Sequence, residues 1–190
     1  MPQAHGLQEG DRLFCGPHGH YTLHSVGRDV VFAGTGTGEA PHNAMLAELL
    51  ATGHRGQIAC VTCARWKKDL GYAQIHGRVS QRFQNYRYLS LTTRERENVD
   101  PTSAGYVGKR YLQEYFGSGD FERDAGFSLD PLTTHFFVCG SPEMIGVPRH
   151  THDPSKRYPR PKGLVEVLES RSFCVDQPHE PGNIHFEKYW

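Results

Sequence analysis

Residues 29–50 read DVVFAGTGTGEAPHNAMLAELL. Four apolar residues, Val30 to Ala33, run into three alternating glycines, Gly34, Gly36 and Gly38, and then Met45, Leu46, Leu49 and Leu50 recur at helical spacing until Gly53. Each glycine costs about 0.5–1 kcal/mol relative to alanine in regular structure, so three in one turn imply that something approaches the backbone there. A strand, a glycine turn and a helix N-terminus together present unpaired amides and the positive end of a helix dipole, an arrangement that receives anions. Two common fingerprints are excluded. No Gly-Lys-Ser/Thr follows as in a P-loop, and Glu39 stands where a G-x-G-x-x-G turn has its third glycine. Taken alone, the glycines are also compatible with a tight strand-to-helix turn that binds nothing.

Outward from this stretch the chain alternates. QIACVTCA (57–64) is a short apolar β-run, DLGYAQIHGRVSQRF (69–83) has a helical pattern, and YRYLSLTT (86–93) is again β. A helix is expected over 108–116 (GKRYLQEYF), a strand over 134–140 (THFFVCG), a helix over 163–173 (GLVEVLESRSF) and a last strand in NIHFEKYW. The order βαβαβαβαβ predicts an α/β domain: a five-stranded parallel sheet with helices on both faces, joined by right-handed crossovers. Ligands of such sheets bind beyond the C-terminal ends of the strands, near the point where strand order reverses. The segments at those ends are GTGTGEAP (34–41), ARWKKD (64–69), TTRE (92–95), CGSPEM (139–144) and the terminal KYW.

A dinucleotide-binding domain that prefers NAD carries an acidic residue near the end of its second strand, to hold the ribose 2′-hydroxyl. Here Arg65, Trp66, Lys67 and Lys68 stand in that place. A dianionic 2′-phosphate matches them, because arginine offers it planar, charge-assisted hydrogen bonds. Arg94, after the third strand, can reach the same place. Solvated loop charge is the competing reading of either arginine by itself.

Composition narrows the function further. Lys plus Arg and Asp plus Glu number 21 each, which excludes a globally basic nucleic-acid binder or a polybasic membrane protein. No run of eighteen apolar residues exists, and MPQAHGLQEGDRL lacks the basic head and apolar core of a signal peptide, so a soluble, unexported, cytoplasmic protein is expected. Five scattered cysteines, Cys15, Cys60, Cys63, Cys139 and Cys174, fit reduced thiols better than a disulfide framework. Cys60-Val-Thr-Cys63 invites a metal claim, but positions i and i+3 of a strand face opposite sides, whereas zinc needs four converging ligands. No metal is expected there. His18, His20 and His24 with His150, His152 and Asp153 could build a metal site only by meeting across a domain boundary, and loop histidines are the default. No Gly-x-Ser-x-Gly elbow supports a hydrolase.

Taken together, GTGTGEAP, ARWKKDLGY, TTRE, GKR, CGSPEM and EKYW resemble the NADP-binding domain of ferredoxin–NADP reductases, most closely the bacterial flavoprotein type ending in Tyr-Trp. The resemblance runs in order from about residue 7 to residue 190. It implies NADP and FAD as cofactors, hydride transfer between NADPH and FAD, and single-electron exchange with ferredoxin or flavodoxin, by a monomer that binds neither nucleic acid nor membrane. Gly34, Thr35, Gly36, Thr37, Gly38 and Pro41 would hold the pyrophosphate, Arg65 and Arg94 the adenosine 2′-phosphate, and Thr93 is a further cofactor-binding candidate. Lys109 falls on a family arginine with Arg110 beside it, and either could make that contact. Cys139, Gly140, Ser141, Pro142 and Met144 look like the nicotinamide pocket. Tyr189 would cover the flavin ring, and Trp190 would lie against the flavin adenine.

Two departures stand out. The family's flavin-binding barrel opens with Arg-x-Tyr-Ser/Thr, which is absent ahead of Gly34; residues 1–28 resemble only the end of that antiparallel barrel, with Gly19 to Leu23 matching its closing Gly-x-Tyr-Thr-Leu. The expectation is therefore a truncated barrel remnant followed by an NADP-binding domain over 29–190, either a fragment or a chain whose flavin domain is supplied elsewhere. A non-catalytic NADP-binding module is the alternative function. The other departure is an insert at 146–163, GVPRHTHDPSKRYPRPKG, with four prolines and several basic residues. An extended ordered loop, a recognition surface for an acidic carrier protein and a simple disordered excursion all fit it.

Overall fold

The computed structural model describes residues 21–23, 28–148, 157–177 and 179–189. Most of the expected barrel remnant, residues 149–156 of the insert, the histidines weighed as a metal site and Trp190 lie outside them. Five strands, β1 (Asp29–Thr35), β2 (Ile58–Ala64), β3 (Tyr86–Thr92), β4 (Thr134–Gly140) and β5 (Ile184–Lys188), form one sheet in the order β3-β2-β1-β4-β5, and every pairing is parallel. The helices are α1 (Glu39–Ala51), α2 (Ala73–Arg82), α3 (Arg96–Val99), α4 (Leu112–Gly117), α5 (Asp120–Ala125), α6 (Pro142–Ile145) and α7 (Leu164–Glu169). Among the described residues no helix is long and apolar enough to cross a membrane.

Central strands read as continuous apolar runs because helices cover both faces. All of β2 is buried, while β3 at the edge is largely half-exposed. Side chains alternate between two cores: Val31, Ala33, Ala59, Val61, Cys63, Phe136 and Val138 pack with α4, α5 and α7, and Val30, Phe32, Ile58, Cys60 and Phe137 pack with α1 and with Val79 of α2. Cys60 and Cys63 accordingly fall into opposite cores, as strand periodicity requires.

The helix expected over 108–116 begins only at Leu112. Gly108 has φ +73 and Tyr111 is extended, forming a capping box in which the Tyr111 amide donates to Glu114 at 3.0 Å. The chain then makes a second helix, α5, between Gly119 and Gly126, both left-handed. The stretch 69–83 splits into a 3₁₀ turn at Lys67–Asp69 and α2, because Leu70 leaves the helical region at ψ 69. The helix expected over 163–173 ends at Glu169, before Ser172 takes φ +69. Helices α3 and α6 were not expected. Gly146 and Gly163 meet backbone to backbone, so the insert leaves and re-enters the fold at one point.

Candidate functional site

Strand order reverses between β1 and β4, and the glycine turn sits at their C-terminal ends, where Gly34 pairs with Cys139. The glycines serve different needs. A Cβ on Gly38 would lie 2.2 Å from the Cys139 carbonyl oxygen, so what approaches the backbone there is β4 itself. Gly36 has φ +55 and open space around a built Cβ. Gly36 and Thr37 are exposed, Pro41 is half-buried near the start of α1, and no side chain caps that helix. Its first turn therefore presents amides without a side-chain acceptor. Thr35 looks sideways: its hydroxyl accepts from the Ser141 amide at 3.1 Å, joining the glycine turn to the turn after β4.

The arginines converge as well. The Arg94 amide donates to the Arg65 carbonyl at 2.9 Å, so the segments after β2 and β3 meet, and both side chains are exposed without an ion-pair partner among the described residues. Thr93 is buried, its hydroxyl directed at the Ala64 carbonyl at 3.5 Å. Lys67 is engaged by Glu97 at 2.7 Å, a hydrogen bond that raises its pKa. Asn98 of α3 donates to the Gly108 carbonyl at 3.1 Å and the Val107 amide to Glu97 at 2.9 Å, which brings the 107–110 segment beside the arginines. Within it Arg110 pairs with Asp120 at 3.1 Å, whereas Lys109 is exposed and unpaired among the described residues. Asp120 thus separates two cations that the sequence left equivalent.

At the far side of the turn, Cys139 is buried and Ser141 caps α6, accepting from the Met144 amide at 3.3 Å with Pro142 in the first helical position. The Tyr189 amide donates to the Gly140 carbonyl at 3.0 Å, which brings Tyr189 beside Cys139. Burial pushes Cys139 up to about 11, and burial followed by the neighbouring Cys139 pushes Tyr189 up to about 12. Both are protonated at neutral pH, so the thiol is a shape-forming group rather than a nucleophile. Tyr21 lies edge-on to Phe137 and is hydrogen-bonded to His42 at 2.7 Å. Burial lowers His42 to about 3.

Sequence reasoning missed what Glu39 does. Its buried carboxylate is gripped by Thr62 and Tyr88, next to His76. The signal available was a charged residue in a glycine's place. No group of three or more His, Cys, Asp or Glu side chains converges on a metal position among the described residues. Burial also pushes Cys60 up to about 12 and Cys63 up to about 11, leaving them inert. The whole edge can accept an elongated, phosphorylated ligand, with cations at one end, the 3₁₀ glycine turn Gly36–Gly38 with no side-chain cap in the middle, and the Cys139–Tyr189 contact at the other.

Known proteins share this framework. A flavodoxin/ferredoxin–NADP reductase of Escherichia coli (strain K12) is 26% identical over 112 residues, covering 58% of this chain and 42% of that protein. A crystal structure of a ferredoxin NADP+ reductase from Neisseria gonorrhoeae with bound FAD and NADP superposes with a TM-score of 0.66 at 19% identity, over 87% of this chain and 57% of that one. The Amycolatopsis cytochrome P450 reductase GcoB gives 0.57 at 19% identity, over 91% and 42%. The chain thus spans about half the length of the relatives it matches, and its sheet and helices follow the NADP-binding half of a ferredoxin reductase fold. A family model, the oxidoreductase NAD-binding domain, matches residues 32–150. That is more than half of the chain, and it covers the glycine turn, Arg65, Arg94 and the turn after β4: this protein belongs to the oxidoreductase NAD-binding domain family.

Proposed function

We propose that the chain is the NADP-binding part of a ferredoxin/flavodoxin–NADP+ reductase, working with FAD to move electrons between NADPH and a small electron carrier. One observation carries the reading: Arg65 and Arg94 on the same sheet edge as an open glycine turn and the Cys139–Tyr189 contact. The residues present fit NADP. Gly36 leaves space where a Cβ would stand, the start of α1 is uncapped, and Arg65, Arg94 and Lys109 are available cations. The relatives' names, which include FAD, NADP, ferredoxin and flavodoxin, support the cofactors and the carrier.

In this reading Arg65 and Arg94, with Lys109, hold the adenosine 2′-phosphate, and the amides of the glycine turn hold the pyrophosphate. Cys139, Gly140, Ser141, Pro142 and Met144 line the nicotinamide end, and Tyr189 covers the place where the flavin ring lies. Nicotinamide and flavin supply the hydride chemistry when bound. No side chain would act as acid or base; these residues would contribute by orienting the two rings toward each other and excluding water. The four described cysteines are free thiols, in keeping with a reducing, cytoplasmic setting.

Calorimetric titration tests the reading. Charge-assisted bonds of about 1.5–3 kcal/mol each should favour NADP+ over NAD+ by one or more powers of ten, and Arg65→Ala should remove most of that preference. Equal affinities in the wild type would overturn the assignment.

A further inference from the structure

Glu39 is the first residue of α1, in the place where a G-x-G-x-x-G turn has its third glycine. A carboxylate at a helix N-terminus is stabilised by the dipole, yet it occupies the field that an incoming pyrophosphate would use and repels it. The structure deals with this by turning the side chain inward, to 4% exposure. Thr62 of β2 donates to Glu39 Oε1 at 3.0 Å, and the Tyr88 hydroxyl of β3 donates to the same oxygen at 3.1 Å. His76 Nε2 of α2 also stands 3.0 Å away, but its N–H does not point along that line, so Thr62 and Tyr88 are the aligned donors and His76 a close polar neighbour. His76 is itself fixed, stacked on Tyr88 at 4.2 Å and hydrogen-bonded to the Tyr86 hydroxyl at 2.7 Å. Burial by itself would raise the Glu39 pKa; contacts with His76, Thr62 and Tyr88 outweigh it and hold the carboxyl below its ordinary range, hence ionised.

We propose that Glu39 is a positioning residue of the nucleotide site: Thr62 and Tyr88 clamp its carboxylate inside the layer between sheet and helices, fixing the start of α1 and keeping its charge out of the pyrophosphate's path. The inference rests on the nucleotide reading above and deepens it. Four elements meet at one oxygen, so the clamp registers the glycine turn against β2, β3 and α2. Without its donors an ionised buried carboxylate must find water, and turning outward from the start of α1 would carry it toward Gly36 and Thr37, which are exposed.

The test uses variants that keep side-chain volume. In Thr62→Val/Tyr88→Phe the affinity for NADP+ should fall at least tenfold, while the affinity for 2′-AMP, which reaches Arg65 and Arg94 but not the turn, stays within about twofold. Adding Glu39→Gln removes the charge and should restore NADP+ affinity to within about threefold of wild type. A merely structural role would lower binding of both nucleotides and would not be rescued by glutamine. Tyr88→Phe alone deletes one hydroxyl from a half-buried ring and should lose NADP+ affinity in the same direction, so the test holds even where the double variant does not fold. Unchanged NADP+ binding in Tyr88→Phe and the double variant, equal loss of both nucleotides, or failure of Glu39→Gln to rescue would each overturn the inference alone. Wild-type protein that binds neither nucleotide would overturn the nucleotide reading and this inference with it.

Discussion

Gly36 and Gly38 stand two residues apart under different constraints, and a pair of substitutions separates them. In Gly38→Ala the new carbon lies 2.2 Å from the Cys139 carbonyl oxygen and 2.6 Å from its carbon. An ordinary C···O contact is about 3.3 Å, so the turn must lift by about 1 Å. The opposing atoms cannot swing away, because β4 is paired with β1 on one side and β5 on the other. Overpacking costs about 1–3 kcal/mol, and a clash with fixed backbone belongs at the upper end. With a urea slope of about 2 kcal/mol/M, a loss of about 3 kcal/mol lowers the unfolding midpoint by about 1.5 M. Gly36→Asn is the counterpart. Nothing lies within 4 Å of a Cβ there, and φ +55 is a conformation that asparagine tolerates. Its midpoint should move by less than about 0.5 M, but its side chain enters the space assigned to the pyrophosphate, so NADP+ affinity should fall more than tenfold. Urea unfolding followed by circular dichroism, with calorimetry on the same samples, reads both effects. A Gly38→Ala midpoint at the wild-type value, or wild-type NADP+ affinity in Gly36→Asn, would refute the division of roles.

Two further predictions concern groups inside the fold. Burial lowers His42 to about 3, against about 6.5 in an unfolded chain, so between these values the unfolded state binds one proton more and stability rises with pH. Acidification through that window should cost about 1.4 kcal/mol per pH unit from this group, and His42→Asn should flatten the pH dependence of unfolding free energy by that slope; an unchanged slope contradicts it. In a Cys15→Ser background, a thiol reagent on native protein should modify Cys174, which is exposed, and spare Cys60, Cys63 and Cys139, which are buried. Labelling of Cys60 or Cys63 at the rate of Cys174 would contradict the packing of β2.

The sheet was legible because central strands carry unbroken apolar runs, VVFA, IACVTCA and FFVCG, that only a parallel sheet covered on both faces can bury. Some misses were legible too. GSGDFERDAG brackets α5 between glycines, and Ser141-Pro142 is a cap followed by a helix-starting proline, both readable as short helices. Other features depend on spatial register. That Gly38 needs its missing side chain because of Cys139 follows from the pairing of β1 with β4, which no local pattern encodes. Glu39, Thr62 and Tyr88 are far apart in the chain and meet only once β2 and β3 lie beside α1. Lys109 and Arg110 are told apart by Asp120, on a helix that the periodicity did not predict.

The central claim is that one phosphorylated dinucleotide lies along the C-terminal edge of the sheet, from Arg65 and Arg94 across the glycine turn to Cys139. Amide chemical shifts of isotope-labelled protein titrated with NADP+ test it most directly. The account predicts saturable shifts at Thr35 to Glu39, Arg65, Arg94, Lys109 and Gly140. The opposite end of the sheet holds a cavity of about 710 Å³ lined by Asp130, His135, Cys174, Asp176 and His185, which should stay silent. Shifts confined to that cavity, or none at the glycine turn at saturating nucleotide, would contradict the account.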